Sequence, residues 1–331
     1  MSIKKIAKEA GVSTATVSRV LNNPGYKCSS EELRERIWKI ARELNYMPNE
    51  AARNLKKGIT DTSQKVWYLD VLMTRTGNLE TDPFFSELLR VIESEIHRQG
   101  CILMHIFHQP LFSNDRKCRT ENIDKVIAQM EPDGEIRSDG LIIIGKCNDN
   151  VLKKLSAKYR SIVSVNRNST NYLVDEVICD GKRIAAMAVE YLIGLGHRKI
   201  GYVGDCHNES RYKGYQDTLF QYGIDMDISF VIEAEHTEAE GYAVMERLIQ
   251  RGDAPTAIYC ANDMIAIGML KCLNKYKNRY YVPSIISSDD IEEAQYTKPM
   301  LTTVRLPKEE MGKFALYLLI DRLGGGHKGI V

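Results

Sequence analysis

The chain has 331 residues, too long for one ordinary domain and suited to two or three. Its 45 Lys+Arg against 44 Asp+Glu give a net of +1, which on its face argues against a nucleic-acid partner. Residues 1–57, however, hold 12 Lys+Arg and 6 Asp+Glu, a net of +6, and the remaining 274 residues hold 33 and 38, a net of −5. A basic head on a mildly acidic body signals an anionic partner for the head alone.

Residues 3–22 read as two short helices joined by a tight turn. Ile6, Ala7 and Ala10 make an apolar stripe at helical spacing, and Gly11 supplies the left-handed turn after it. Ser13 caps the next helix, Val17, Val20 and Leu21 form its buried face, and Asn23-Pro24-Gly25 stops it. A third helix begins near Ser29, with Glu32 completing a capping box, and runs through Leu33, Ile37, Ile40, Ala41 and Leu44. Three such helices with a glycine turn between the first two describe a helix-turn-helix. Thr14, Ala15, Thr16, Ser18, Arg19 and Asn22 are left facing outward on the second helix. Arginine grips guanine bidentately, and an Ala or Thr methyl suits the thymine methyl. Hydroxyls and Asn22 suit phosphates, which fix register without reading sequence. A plain three-helix bundle with a solvated basic face is the bland alternative.

The string Ile6-Ala7-Lys8-Glu9-Ala10-Gly11-Val12-Ser13, followed by Thr16-Val17-Ser18-Arg19-Val20-Leu21-Asn22, resembles the N-terminal signature of the lactose/galactose-repressor (LacI–GalR) family of bacterial transcription regulators. The similarity continues more loosely through most of the chain. It implies that Thr14 and Ala15 begin a recognition helix, that Arg19 is the third base reader, and that Thr16, Ser18 and Asn22 meet phosphates of double-stranded operator DNA. The head is then residues 1–47, followed by a hinge helix and linker over 48–60. On its own the helix 49–57 is marginal in water, because nucleation is costly and few bonds repay it, so it reads as a linker. The resemblance makes it a hinge that folds when two copies pair on DNA, with Leu55 wedged into the minor groove beside Lys56.

From Val66 onward, short apolar runs alternate with amphipathic helical patterns. Strands are expected at 67–73, 102–107, 140–144 and 161–165, with helices at 84–99, 122–129 and 150–157. A second series has strands at 199–203, 229–232, 257–260 and 284–287, with helices at 181–195, 209–222, 238–250 and 263–273. Alternation of this kind implies an α/β fold with parallel sheets, and the length implies two of them. The resemblance gives the body, residues 61–331, the two-lobed fold of periplasmic sugar-binding proteins. Lobe 1 is expected at about 64–164 and 294–325, and lobe 2 at about 165–293.

Several other classes are excluded. The most apolar stretches, 140–145 and 314–320, are too short to span a bilayer, and no apolar run after Met1 marks a secretory signal. Eight cysteines without a Cys-x-x-Cys pair read as reduced core thiols in a cytoplasm. Gly140-Leu141-Ile142-Ile143-Ile144-Gly145-Lys146-Cys147 nearly spells a phosphate loop, yet its middle is a buried strand and Cys147 cannot hold magnesium. Gly324-Gly325-Gly326-His327-Lys328-Gly329 matches a dinucleotide fingerprint in the wrong context and reads as a frayed terminus. His105 and His108 point to different faces of a strand and its exit, with no carboxylate nearby in sequence. Neither a nucleophile elbow nor a zinc helix is present, so no enzyme, metal or cofactor is expected; an oxidoreductase is the remote alternative.

Ligands of open α/β sheets bind at the carboxyl ends of strands. By the resemblance, Arg211, Asn262 and Asp289 are the polar effector ligands, a cation, an amide and a carboxylate that suit adjacent sugar hydroxyls. Phe84 and Phe85 are either the apolar wall from the first lobe or core packing at a helix start. His236 is either a ring against the ligand or a surface loop residue. The family's Gly-aromatic pair before two aspartates is Ser287-Ser288 here, which implies a smaller, more polar wall beside Asp289. The resulting expectation is a cytoplasmic homodimer that represses from a pseudo-palindromic operator under control of a small molecule, most simply a sugar. A corepressor-dependent regulator responding to a purine or sugar phosphate shares every one of these motifs.

Overall fold

A computed structural model of the chain describes residues 3–22, 30–43, 66–75, 82–130, 137–166, 168, 173–207, 209–276 and 281–331. The chain divides into two compact units, Met1–Lys65 and Val66–Val331. In the first unit lie α1 (Ile3–Ala10), α2 (Thr14–Asn22) and α3 (Glu31–Glu43). Ile6, Ala10, Val17, Val20, Leu21, Ile37 and Ala41 meet in one small core, so each helix buries the stripe its spacing predicts. Ser30, rather than Ser29, caps α3: its Oγ accepts the Leu33 amide at 3.1 Å. Glu32 therefore lies one position short of the capping-box site.

The second unit runs β1 (Tyr68–Met73), α4 (Pro83–Arg98), β2 (Ile102–His108), α5 (Asp115–Thr120), α6 (Ile123–Ala128), β3 (Gly140–Ile144), α7 (Asp149–Ser156), β4 (Ser161–Asn166) and β5 (Asp175–Ile178). It continues with α8 (Gly181–Gly194), β6 (Ile200–Gly204), α9 (Ser210–Gln221), β7 (Val231–Glu233), α10 (Glu238–Ile249), β8 (Ala257–Cys260), α11 (Asp263–Tyr276), β9 (Ser284–Asp289), β10 (Thr302–Arg305) and α12 (Lys308–Leu323). Two five-stranded parallel sheets result, in the orders β2-β1-β3-β4-β5 and β10-β9-β8-β6-β7. Successive strand residues face opposite sides, and both sides of each sheet are covered, as parallel sheets require. Leu69, Val71 and Met73 of β1 join Leu88 and Ile92 of α4 and Leu316 and Leu319 of α12, whereas Leu72 joins Ile127 of α6 and Val151 of α7. In the second sheet Tyr202 and Tyr259 face Val189 and Tyr215, while Val203, Ile258 and Cys260 face Val244, Ile265 and Met269.

Two strands fall on the other side of the expected lobe boundaries. Residues 175–178 pair with β4 in the first sheet, in the register Val163↔Asp175. Residues 302–305 pair with β9 in the second, in the register Thr302↔Ile286. Each is an edge strand of four residues that is largely half-buried or exposed, so neither carries the apolar run that marks the central strands. The glycine-rich tail is tied down rather than frayed. Arg322 Nε and Nη2, His327 Nε2 and the Val331 amide converge on the buried carboxylate of Asp175, at 2.5, 2.6, 2.9 and 2.8 Å.

Candidate functional site

In the first unit the chain makes its turn by glycine chemistry. Gly11 has φ +68°, its amide reaches Lys8 O at 3.4 Å, and the Val12 amide reaches Ala7 O at 3.0 Å. This paired arrangement ends α1 and turns the chain sharply into α2. Ser13 then caps α2, accepting the Thr16 amide at 3.1 Å. Arg36 of α3 donates to Ala10 O at 3.0 Å, fixing the third helix on the end of the first. The outcome is a presented face on α2: Val17, Val20 and Leu21 are buried, while Thr14, Ala15 and Arg19 are exposed. Thr16 and Ser18 are half-buried, and the Thr16 hydroxyl is hydrogen-bonded to Ser13 Oγ at 2.9 Å. Asn22 is the last residue of α2, and Leu55 and Lys56 lie outside the described residues.

In the second unit, strand ends gather the polar residues. α9 begins past β6, α11 past β8, and β9 ends in Asp289, so Arg211, Asn262 and Asp289 share the carboxyl edge of the second sheet. All three are buried, at 2%, 1% and 2% exposure. Arg211 is gripped from two sides. Its Nε and Nη2 donate to the two oxygens of Glu209, each at 2.9 Å, and its Nη1 donates to Ala261 O. Asp289 Oδ1 stands 3.9 Å from Nη1. Burial pushes the Glu209 carboxyl up, but the Arg211 charge and hydrogen bonds override it and hold the group well below the usual carboxylate range. Burial likewise disfavours the Arg211 cation, and Glu209 followed by Asp289 reverses that.

Asn262 is oriented by its own backbone. Its Oδ1 accepts the Ile265 amide at 3.0 Å, capping α11, and its Nδ2 donates to His236 O at 3.3 Å. That bond draws the half-buried His236 loop to the same edge. Asp289 and Asp290 have φ of 135° and 51°, left-handed values that cost non-glycine residues about 1–3 kcal/mol and tend to persist where a site requires them. Phe84 and Phe85 are 1% and 2% exposed and pack edge to face within the core at the start of α4. Phe84 is joined to the strand edge through Lys308, whose Nζ lies 5.9 Å from its ring centroid and donates to Asp290 O at 2.6 Å. Lys308 also pairs with Glu87 at 2.5 Å, and Glu87 accepts the Glu292 amide at 3.0 Å.

Three features were not foreseen from sequence. Glu209 is one: an acid at a helix N-cap is common, and only the fold shows it turned onto Arg211. The second is the buried Asp263, which accepts Ser287 Oγ at 2.5 Å, Thr303 Oγ1 at 2.6 Å and the Ile291 amide at 2.9 Å. Ser288 is likewise spent on Ala261 O and Tyr259, both at 3.0 Å, so the two serines knit β8, β9 and α11 together and do not form a polar wall. The third is that His105 does have a carboxylate partner. Asp70 faces it across the β1–β2 register, with Nδ1 at 3.1 Å from Oδ1. Among the described residues no group of three or more His, Cys, Asp or Glu is placed to hold a metal, and no helix is long and apolar enough to cross a membrane.

A helix-turn-helix unit joined to an α/β body of two parallel sheets is an architecture shared by transcriptional regulators, and the body gathers buried polar residues at the strand edge where ligands of open α/β sheets bind. Residues 2–49 match the bacterial regulatory proteins of the lacI family, and residues 189–330 match a periplasmic binding protein-like domain. The chain is 31% identical over 337 residues to the HTH-type transcriptional repressor MelR of Bacillus subtilis (strain 168), covering 98% of this chain and 91% of that protein. It is 29% identical over 343 residues to the repressor PurR of Haemophilus influenzae (strain PittEE), covering 99% and 93%. The chain belongs to the lacI family of bacterial regulatory proteins. Its fold matches a transcriptional regulator CelR–cellobiose complex with TM-score 0.66 at 23% identity, covering 100% of this chain and 95% of that one. It also matches the lac repressor dimer bound to operator and the anti-inducer ONPF, with TM-score 0.62 at 22% identity, covering 100% and 96%.

Proposed function

We propose that the chain works as a cytoplasmic homodimer that binds a pseudo-palindromic operator and changes its affinity when a sugar enters the body. The observation that carries this reading is the gathering of Arg211, Asn262 and Asp289, all buried, at the carboxyl edge of one sheet, with Asp289 held at φ 135°. Cation, amide and carboxylate together offer donors and acceptors to neighbouring hydroxyls. The His236 loop, drawn in by Asn262, flanks them, while Phe84 and Phe85 pack in the core at the start of α4 and support the first-sheet side from beneath. The cellobiose complex among the similar folds supports a sugar as the ligand class.

On DNA, Thr14, Ala15 and Arg19 read base edges in the major groove while Thr16, Ser18 and Asn22 meet phosphates. Leu55 and Lys56 enter the minor groove from a hinge that folds as two copies pair, so a ligand that shifts the bodies apart weakens binding. The protein acts by binding rather than catalysis. The deciding experiment selects an operator from random duplexes with the full chain, then titrates it with and without a panel of sugars and purines. Release by a sugar supports induction, and tighter binding with a purine or sugar phosphate supports the corepressor reading. An operator affinity that no ligand changes rejects the effector role.

A further inference from the structure

Arg211, 2% exposed, is the one Lys or Arg side chain buried among the described residues. A buried guanidinium in the first turn of a helix is, by itself, a receptor for an anion. Its surroundings cancel that property. Glu209, 5% exposed, holds Nε and Nη2 at 2.9 Å each, and Ala261 O takes Nη1. Three of the five guanidinium N–H groups are therefore committed to the protein. With Asp289 at 3.9 Å, the cluster of Arg211, Glu209 and Asp289 sums to a charge of −1.

Glu209 is itself held in place. Its Oε1 accepts the Arg211 amide at 3.1 Å, and its Oε2 accepts Asn168 Nδ2 at 3.3 Å. Asn168 Oδ1 in turn accepts the Ser210 amide at 3.2 Å and the Ser210 hydroxyl at 2.5 Å. We propose that Glu209 is a specificity-determining residue, which opens the crevice to an uncharged polyhydroxy ligand and closes it to phosphorylated sugars and nucleotides. A phosphoryl group arriving at Arg211 meets a cation already balanced by one carboxylate and faced by a second, in surroundings of low dielectric where repulsion is poorly screened. A pair of neutral hydroxyls meets no such barrier: it accepts from the remaining guanidinium N–H groups and donates to the carboxylates. The inference rests on the crevice being the effector site.

The test uses the full chain and inorganic phosphate as the probe, titrated by calorimetry at constant ionic strength. Wild type is compared with Glu209→Gln and with Glu209→Gln/Arg211→Met. Gln keeps the shape and the acceptor for the Arg211 amide, and Met fills the guanidinium volume without charge. Glu209→Gln is expected to bind phosphate roughly tenfold or more tightly than wild type. The double variant is expected to return to the wild-type level, since any binding common to all three lies elsewhere, including on the basic head. A Glu209→Gln protein that binds phosphate no better than wild type overturns the proposal, as does a gain that survives in the double variant. Should the Gln variant fail to fold, Glu209→Ser gives the same reading, because serine retains a capping acceptor. Neither DNA nor sugar enters this titration, so its failure is distinct from an operator complex indifferent to sugars, which would reject the effector role itself.

Discussion

His327 Nε2 lies 2.9 Å from the buried carboxylate of Asp175, and the same ring presents Nδ1 to Asp321 at 2.6 Å. A ring that meets a carboxylate at each nitrogen must donate from both, so the arrangement requires the imidazolium. The Asp321 hydrogen bond, followed by that to Asp175, accordingly raises the His327 pKa above 6.5. A raised histidine contributes stability in full below its unfolded value and loses it as pH climbs through the folded one. Thermal melts of the chain are therefore expected to show Tm falling as pH rises above about 6.5 toward the raised value. His327→Gln should remove that component and lower Tm in the acid half of the window by about 2–4 °C, for a loss of about 1 kcal/mol at a partly solvated site. Parallel pH profiles for the two proteins would reject the imidazolium bridge.

Helices α10 and α11 pack backbone against backbone through two glycines. A Cβ on Gly268 would stand 2.0 Å from Glu238 O, and one on Gly241 would stand 2.0 Å from Ile265 O. Mid-helix Gly→Ala ordinarily stabilises by about 0.5–1 kcal/mol, whereas here the obstruction is main chain and cannot yield. Gly268→Ala is expected to destabilise the body by about 3 kcal/mol, read as a fall in urea midpoint at unchanged slope. A rise in the midpoint would show that the helices have room to part.

Legibility from sequence followed burial. β3, with the run Gly140–Ile144 wholly buried, and β8, at Ala257–Cys260, are legible because a short apolar run is the signature of a strand covered on both faces. β5 and β10 leave no such mark, since edge strands of four residues lack the run, and their absence displaced both lobe boundaries. At the site, Arg211, Asn262 and Asp289 are legible through the family resemblance, and the structure sets them beyond or at the end of strands of one sheet. Their partners are not. Asp70 and His105 are 35 residues apart, and only the β1–β2 register makes them neighbours. Ser287 reads as a polar wall in one dimension, yet in three its hydroxyl is turned onto Asp263.

Effector response is best tested at Asp289 without disturbing Arg211. Removing Arg211 alone leaves Glu209 buried and uncompensated, a loss of about 3–5 kcal/mol that confounds any functional reading. Asp289→Asn keeps the shape and removes one acceptor charge. It is expected to bind operator as wild type does while its response to an active sugar weakens about 10–100-fold, in line with the loss of one charged hydrogen bond to a ligand. A wild-type sugar response in Asp289→Asn would take Asp289 out of the ligand set.

The hinge makes a separate demand. If Leu55 is a minor-groove wedge, Leu55→Ala removes apolar contact that exists only on kinked DNA. Specific operator binding should then fall by about 1–3 kcal/mol, while binding to random duplex stays within about twofold. Equal losses on both duplexes, measured by fluorescence anisotropy at one salt concentration, would reject the wedge.

Arg19 distinguishes base reading from simple charge attraction. It is exposed on the face of α2 opposite Val17, Val20 and Leu21, beside Thr14 and Ala15. A guanidinium that grips a guanine edge is worth about 1–3 kcal/mol against the wrong base and little to the salt slope. One that meets a phosphate contributes uniformly across sequences and about one unit of that slope. Arg19→Ala is therefore expected to lose operator affinity about 5–150-fold, to relax preference at a single base pair of each half-site, and to leave the slope of affinity against salt nearly unchanged. Titration of a one-position operator library at several salt concentrations separates the two. A uniform loss with a shallower slope would move Arg19 from the base-reading set to the phosphate set and leave Thr14 and Ala15 as the only candidates for direct reading on this face.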